Sequence, residues 1–195
     1  MSLPTAAVFV NTLHTIFDAK HAFSQAESRA GAEGLWTLKG TSSFAVYLKS
    51  DLDLDTDGPK IPGIRYDRYH QDETALKWES GLNVNSNVTP YLVIPSGWSK
   101  GIALGDVALV QYGDRLCPAI VADIGPRAKI GEGSIALHRV LGFERVAGSR
   151  IIDVGIDSGV RTVFFPGTGE GNALDISVIT ARAAAAWAAL TGAGG

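Results

Sequence analysis

The chain has 195 residues, 46% of them hydrophobic and 19% charged, with a formal net charge of −3. That length suits one domain (residues 1–195) with a sizeable core, and the absence of a basic stripe excludes a phosphate backbone as partner, hence nucleic acid. A single cysteine, Cys117, rules out an intrachain disulfide, and no run of about 18 apolar residues offers a membrane-spanning helix.

The first twenty residues lack a basic start, and Asn11, His14 and Asp18 interrupt any apolar stretch; they do not read as a signal peptide. Within residues 1–30 an N-terminal helix is predicted from residue 5 to about 27. Phe9, Leu13, Ile16 and Phe17 fall at helical spacing, and Pro4 suits a first turn. Strand-like runs follow at 35–40, 43–49, 90–95, 106–113, 117–123 and 161–167, rich in Val, Ile, Phe and Tyr and bounded by Gly, Pro and Asp. The Gly113–Asp114 pair between two of these runs reads as a tight hairpin turn. A helix is expected at 134–141, with Ser134 as N-cap and Gly142 just past the end. A C-terminal helix is expected over 174–191, where an alanine run raises helix propensity. Six short strands and few helices point to a small closed β-barrel, mainly β with flanking N- and C-terminal helices.

Residues 50–59, SDLDLDTDGP, place Asp51, Asp53, Asp55 and Asp57 at alternate positions. An EF-hand loop starting at Asp53 would need a bidentate Glu where Ile64 stands. The four histidines have no metal-ligand spacing, so no metal site and no cofactor is expected. In an extended segment alternate residues share a face. Asp51, Asp53 and Asp55 would then form an acidic wall backed by Leu52 and Leu54, or a solvated strand edge.

The densest constellation is AIVADIGPRAKIGEGSIALHRVLG, a strand ending at Asp123, a glycine-rich loop carrying Glu132, and a helix. Two carboxylates separated by eight loop residues can converge across a groove, which is what hydrolysis of a glycosidic bond requires. The same spacing also fits a turn-capping Asp and an exposed loop Glu.

VADIGPRAKIGEGSIAL resembles the signature of glycoside hydrolase family 75, the chitosanases of fungi and bacteria. DLDLDTDGP, QDETAL (71–76), PYLVIP, LGDVALV (104–110) and VFFPGTG (163–169) agree with that family in order, so that residues 43–169 form a family-like core. The resemblance implies endo-hydrolysis of β-1,4 bonds between glucosamine units of chitosan, with inversion, by a secreted enzyme. It implies Asp123 and Glu132 as the catalytic pair; our expectation is Glu132 as general acid and Asp123 as base, with exchange of the two roles open. A helix N-terminus just after Glu132 favours its ionised form.

With that resemblance the aspartate stretch reads as a subsite for protonated aminosugars, by charge-assisted contacts. Gln71, Glu73 and Thr74 are further lining candidates. Trp98, in PSGWSKG, is a candidate to stack on a sugar face, whereas Trp36, Trp78 and Trp187 read as core. A strand ending D-x-G-P before an apolar helix is also similar to double-psi β-barrels of the rare lipoprotein A type, which cut peptidoglycan glycans. The expected partner is thus chitosan or a related aminosugar polysaccharide, and the expected state a monomer. A peptidoglycan-cleaving, lytic transglycosylase-like barrel and a non-catalytic glycan-binding module are the alternatives.

Overall fold

The computed structural model describes all residues except 19–21, 26–28, 40–42, 67, 99 and 193–195. In chain order the elements are α1 (Ala6–Asp18), β1 (Ala22–Gln25), β2 (Ala32–Lys39), β3 (Phe44–Asp55), β4 (Tyr91–Pro95), β5 (Val107–Tyr112), β6 (Arg115–Gly125), β7 (Glu132–Ser134), α2 (Ile135–Val140), β8 (Val146–Ala147), β9 (Arg150–Ile151), β10 (Ile156–Phe165) and α3 (Ile176–Thr191). Strand order is β1-β2-β3-β10-β5-β6-β4-β7, and β7 also pairs with β3. The six strands β3, β10, β5, β6, β4 and β7 therefore form a closed barrel, with β1 and β2 extending outward from β3. Two of its contacts, β3–β7 and β4–β6, are parallel; the others are antiparallel, so the ring is not a simple up-and-down meander.

Alternate residues of the barrel strands enter two separate cores. Val46, Leu48, Leu92, Val110, Ala119, Val121 and Phe164 belong to one. Tyr47, Val93, Leu109, Ile120, Ala122 and Val163 belong to the other, together with Phe9 and Leu13 of α1 and Ile179, Ala183 and Trp187 of α3. A ring of six strands has no room for the 16-residue α3, so the face that takes α3 is the outer one, and the first core, which Leu137 of α2 and Leu141 just after it also join, fills the barrel. Burial on both faces explains why these strands read as continuous apolar runs instead of alternating ones. The β5–β6 turn is the expected two-residue hairpin: Tyr112 pairs with Arg115, and Gly113 has φ of 57°, the left-handed conformation that such turns need. Ser134 caps α2 by accepting from the Leu137 N–H at 3.1 Å.

Two expectations need correction. The N-terminal helix ends at Asp18 instead of about residue 27, and residues 22–25 form β1, paired antiparallel with β2 from Ala22–Leu38 to Gln25–Leu35; the rest of the expected stretch, 19–21 and 26–27, lies outside the described residues. Backbone pairing with β2 outweighs the helical spacing there. Trp98 is not an exposed loop aromatic. It is 6% exposed and belongs to the barrel filling, edge-on to Phe164 at 5.7 Å between ring centroids.

The motifs LGDVALV and VFFPGTG meet at the start of β5 and the end of β10. Buried Asp106 accepts from the N–H groups of Thr168 and Gly169 through Oδ1, both at 2.9 Å, and from Ala103 through Oδ2 at 2.8 Å. Thr168 Oγ1 in turn accepts from Val107 N–H. These motifs fasten the barrel. No helix among the described residues is long and apolar enough to cross a membrane.

Trp98→Ala is expected to destabilise the fold by about 3–5 kcal/mol, the scale of a large aromatic truncated in a packed core. Denaturant unfolding measures it, and a normal midpoint would contradict the interior placement.

Candidate functional site

A cleft of about 550 Å³ lies on the outer face of the barrel, where β3, β7, β4 and β6 come together. Register explains which side chains meet there. Val93 on β4 is opposite Asp123 on β6 and also opposite Glu132 on β7, and Glu132 is opposite Asp53 on β3. Asp123, Val93, Glu132 and Asp53 thus form one row across four neighbouring strands and share a face. Adjacent strands are spaced about 4.8 Å, which puts the Asp123 and Glu132 backbones roughly 9–10 Å apart. Space for the Glu132 carboxylate comes from Gly125: a methyl group there would lie 2.7 Å from Glu132 Oε2.

The long segment between β3 and β4 supplies the opposite wall, with Thr56, Asp57, Tyr69, His70 and Gln71. A stretch of this length without regular structure is uncommon unless it builds a site. Its backbone is tied down at several points: Gln71 N–H donates to Asp57 Oδ1 at 2.7 Å, the Asp57 N–H to Asp55 Oδ1 at 2.7 Å, and Leu76 N–H to Ala122 O at 2.9 Å.

Asp123 is only 9% exposed and accepts on Oδ1 from the N–H groups of Ile124 at 2.8 Å and Ala75 at 3.0 Å. Burial raises its pKa, Glu132 adds to the rise, and the two amides work against it. Asp55 accepts from the hydroxyl of fully buried Tyr91 at 3.0 Å. Burial, helped by the charge of Asp57, pushes the Asp55 carboxyl up to about 7. Glu132 Oε1 is 2.9 Å from Lys129 Nζ, which also reaches Asp53 Oδ2 at 2.8 Å.

Oxygens of Asp55, Asp57 and Asp123 lie within 4.8 Å of one another, close enough to surround a hard cation. Each of the three already accepts hydrogen bonds from protein donors. Burial raises the pKa of both Asp55 and Asp123.

Of the expected site residues, Asp55, Gln71, Asp123 and Glu132 line the cleft. Asp51 does not: its Oδ1 is buried beside Gly31 and Gly131 with no hydrogen-bond partner, and burial together with Asp53 raises its pKa to about 6. Asp53 is engaged by Lys129 beside the cleft. The three aspartates share a face but spread along β3 into three environments, so they form no continuous wall; Leu52 is in the barrel filling, and Leu54 borders the cleft. Glu73 is exposed and pairs with Lys77 at 2.9 Å. Thr74 is buried; its Oγ1 donates to Leu76 O and accepts from Val84 N–H, so it organises a turn. Glu73, Thr74 and Trp98 are not brought to the cleft.

Lys129, Tyr69 and Asp153 line it without having been singled out from the sequence; so do Asp57, seen in the alternating stretch but left out of the expected wall, and His70, considered only as a metal ligand. Lys129 was discernible, three residues before Glu132 in a loop. Tyr69, 70% exposed, is an aromatic side chain at the cleft, and nothing in its local sequence distinguishes it.

No known family model matches the chain, and no curated protein matches it.

The Asp55 carboxyl binds its proton more tightly folded than unfolded, where its ordinary value is 3.8. Its contribution to stability is therefore full below about pH 4 and declines as pH rises through 7. Asp55→Asn keeps the oxygen that accepts from Tyr91 and removes the ionisation. We expect it to raise Tm more at pH 8 than at pH 5; equal changes at both would contradict the raised value.

Proposed function

We propose that the protein is an endo-acting glycoside hydrolase that cleaves β-1,4 bonds between glucosamine units of chitosan with inversion, using Asp123 and Glu132. One observation carries this reading: Asp123 and Glu132 line one cleft from a shared row across β6, β4 and β7, their backbones two strand spacings apart. Inverting enzymes hold their carboxyl groups about 6.5–9.5 Å apart, leaving room for the attacking water, whereas retaining ones need about 5 Å. A proton on one carboxyl must be available to the leaving oxygen while the other stays charged, and unequal burial of the two is how proteins arrange that. The resemblance to family 75 chitosanases points the same way, with the catalytic pair at these two positions.

The lining chemistry suits an aminosugar. Asp55, Asp57, Asp123, Glu132 and Asp153 face the cleft against one cation, Lys129, which is itself engaged by carboxylates. Such a surface draws in ammonium groups. Tyr69 offers an aromatic edge at the rim.

A second reading, a peptidoglycan-cleaving barrel in which Asp123 alone moves the proton, is favoured by the occupation of Glu132 by Lys129. Incubation with chitosan, chitin and peptidoglycan, with products read by mass and anomeric configuration, separates the two. The expected result is glucosamine oligomers released in the inverted configuration; anhydro-sugar products from peptidoglycan would support the alternative, and no cleavage of any polymer would leave a binding module.

Asp123→Asn and Glu132→Gln are each expected to lower kcat on chitosan by about 100-fold or more, the scale of lost general acid–base catalysis. Near-normal turnover in both would remove the pair from the mechanism.

A further inference from the structure

Lys129 is the one cation among the residues lining the cleft apart from the imidazole of His70, and its position is fixed by the fold. Its backbone is bridged to Ala30, its N–H donates to Pro126 O, and its ammonium lies between Asp53 Oδ2 at 2.8 Å and Glu132 Oε1 at 2.9 Å. Those two carboxylates are neighbours in register on the parallel pair β3–β7. Each is also held against bare backbone: a methyl group at Gly125 would strike Glu132 Oε2, and one at Gly155 would lie 2.6 Å from Asp53 Oδ1. Burial works against the charge of Lys129, but the bonds from Asp53 and Glu132 more than offset it and raise its pKa.

We propose that Lys129 is a positioning residue that clamps Glu132 by one oxygen as the base-side carboxylate, shares its charge with Asp53, and so leaves Asp123 to act as the acid. This rests on the hydrolase reading above and exchanges the two roles expected from the sequence. An ammonium within hydrogen-bond distance favours the charged carboxylate, the form that takes a proton from water. Among the described residues no ion pair reaches Asp123, which is more deeply buried and accepts from the neutral amides of Ala75 and Ile124. The proton that Asp123 gives to the leaving oxygen is balanced by the one Glu132 takes from the attacking water.

Other charges bear on Glu132. Asp51 and Asp53 face it from β3 and Asp123 from β6. Farther along the cleft are Asp55, Asp57 and His70, with Asp153 at its other side. His138 of α2 acts on Asp53 from behind, its Nε2 3.1 Å from Leu52 O.

The two partners of Lys129 give the test its direction. Lys129→Met removes the cation, and Asp53→Asn removes the anion that competes for it. In kcat/KM on chitosan the acid limb should move to higher pH in Lys129→Met and to lower pH in Asp53→Asn, while Lys129→Arg stays close to wild type. Nitrogen NMR of the Lys129 ammonium in the full chain, independent of turnover, should show its titration falling in both Glu132→Gln and Asp53→Asn, because each removes a carboxylate that holds its charge. An ammonium signal unmoved by Glu132→Gln overturns the clamp, as does an acid limb that stays put or moves the same way in both variants. If the alkaline limb moves instead, Glu132 is the acid and the assignment falls. A moved ammonium signal in a protein that cleaves no chitosan sinks the hydrolase reading, and the base role with it.

Discussion

Closure of the barrel depends on three residues. Glu132, Gly133 and Ser134 are the whole of β7, yet they pair in parallel with the end of β3 and antiparallel with β4. Gly133 has no space for a side chain: a methyl group there would meet Leu137, the Tyr91 carbonyl and Leu52 at 2.7, 3.1 and 3.2 Å. Ser134 donates to Thr89 O, accepts from Tyr91 N–H and caps α2 with one hydroxyl. Glu132 is thus placed by a segment paired on both edges and closely packed at the two residues that follow it.

Within the cleft, burial and charge oppose each other unevenly. Asp123 and Asp55 are desolvated and held by neutral donors, while Glu132 and Asp53 are offset by an ammonium. One fold thus produces carboxyls of two kinds within one strand row and its neighbour. Desolvation of an acid costs stability at neutral pH, and the fold retains that cost at Asp55 and Asp51.

Much of the barrel was legible in the sequence because its strands are buried on both faces, and such runs are apolar, β-branched and bounded by turn residues. The Gly113–Asp114 turn and the Ser134 cap were legible for the same local reason. What could not be read is whatever depends on a distant partner. Residues 132–134 have no strand propensity and become β7 only between β3 and β4. Residues 22–25 become β1 only beside β2. The convergence of Asp123 and Glu132 was open from their spacing, and the shared position opposite Val93 is what brings them together. The alternation of Asp51, Asp53 and Asp55 was read with the correct face but as a single surface, because their separate neighbours, Gly31 with Gly131, Lys129, and Tyr91, come from three distant segments. Trp98 was misread because a Gly- and Ser-rich surround normally signals exposure.

The hairpin of β1 and β2 has a consequence of its own. Strands in a closed ring leave no unpaired edge on which another chain can template, but β2 leads outward from β3 and ends the sheet at β1. That strand is four residues long, AFSQ, and only one of its sides is paired. A short border of this kind is a poor seed for cross-strand aggregation.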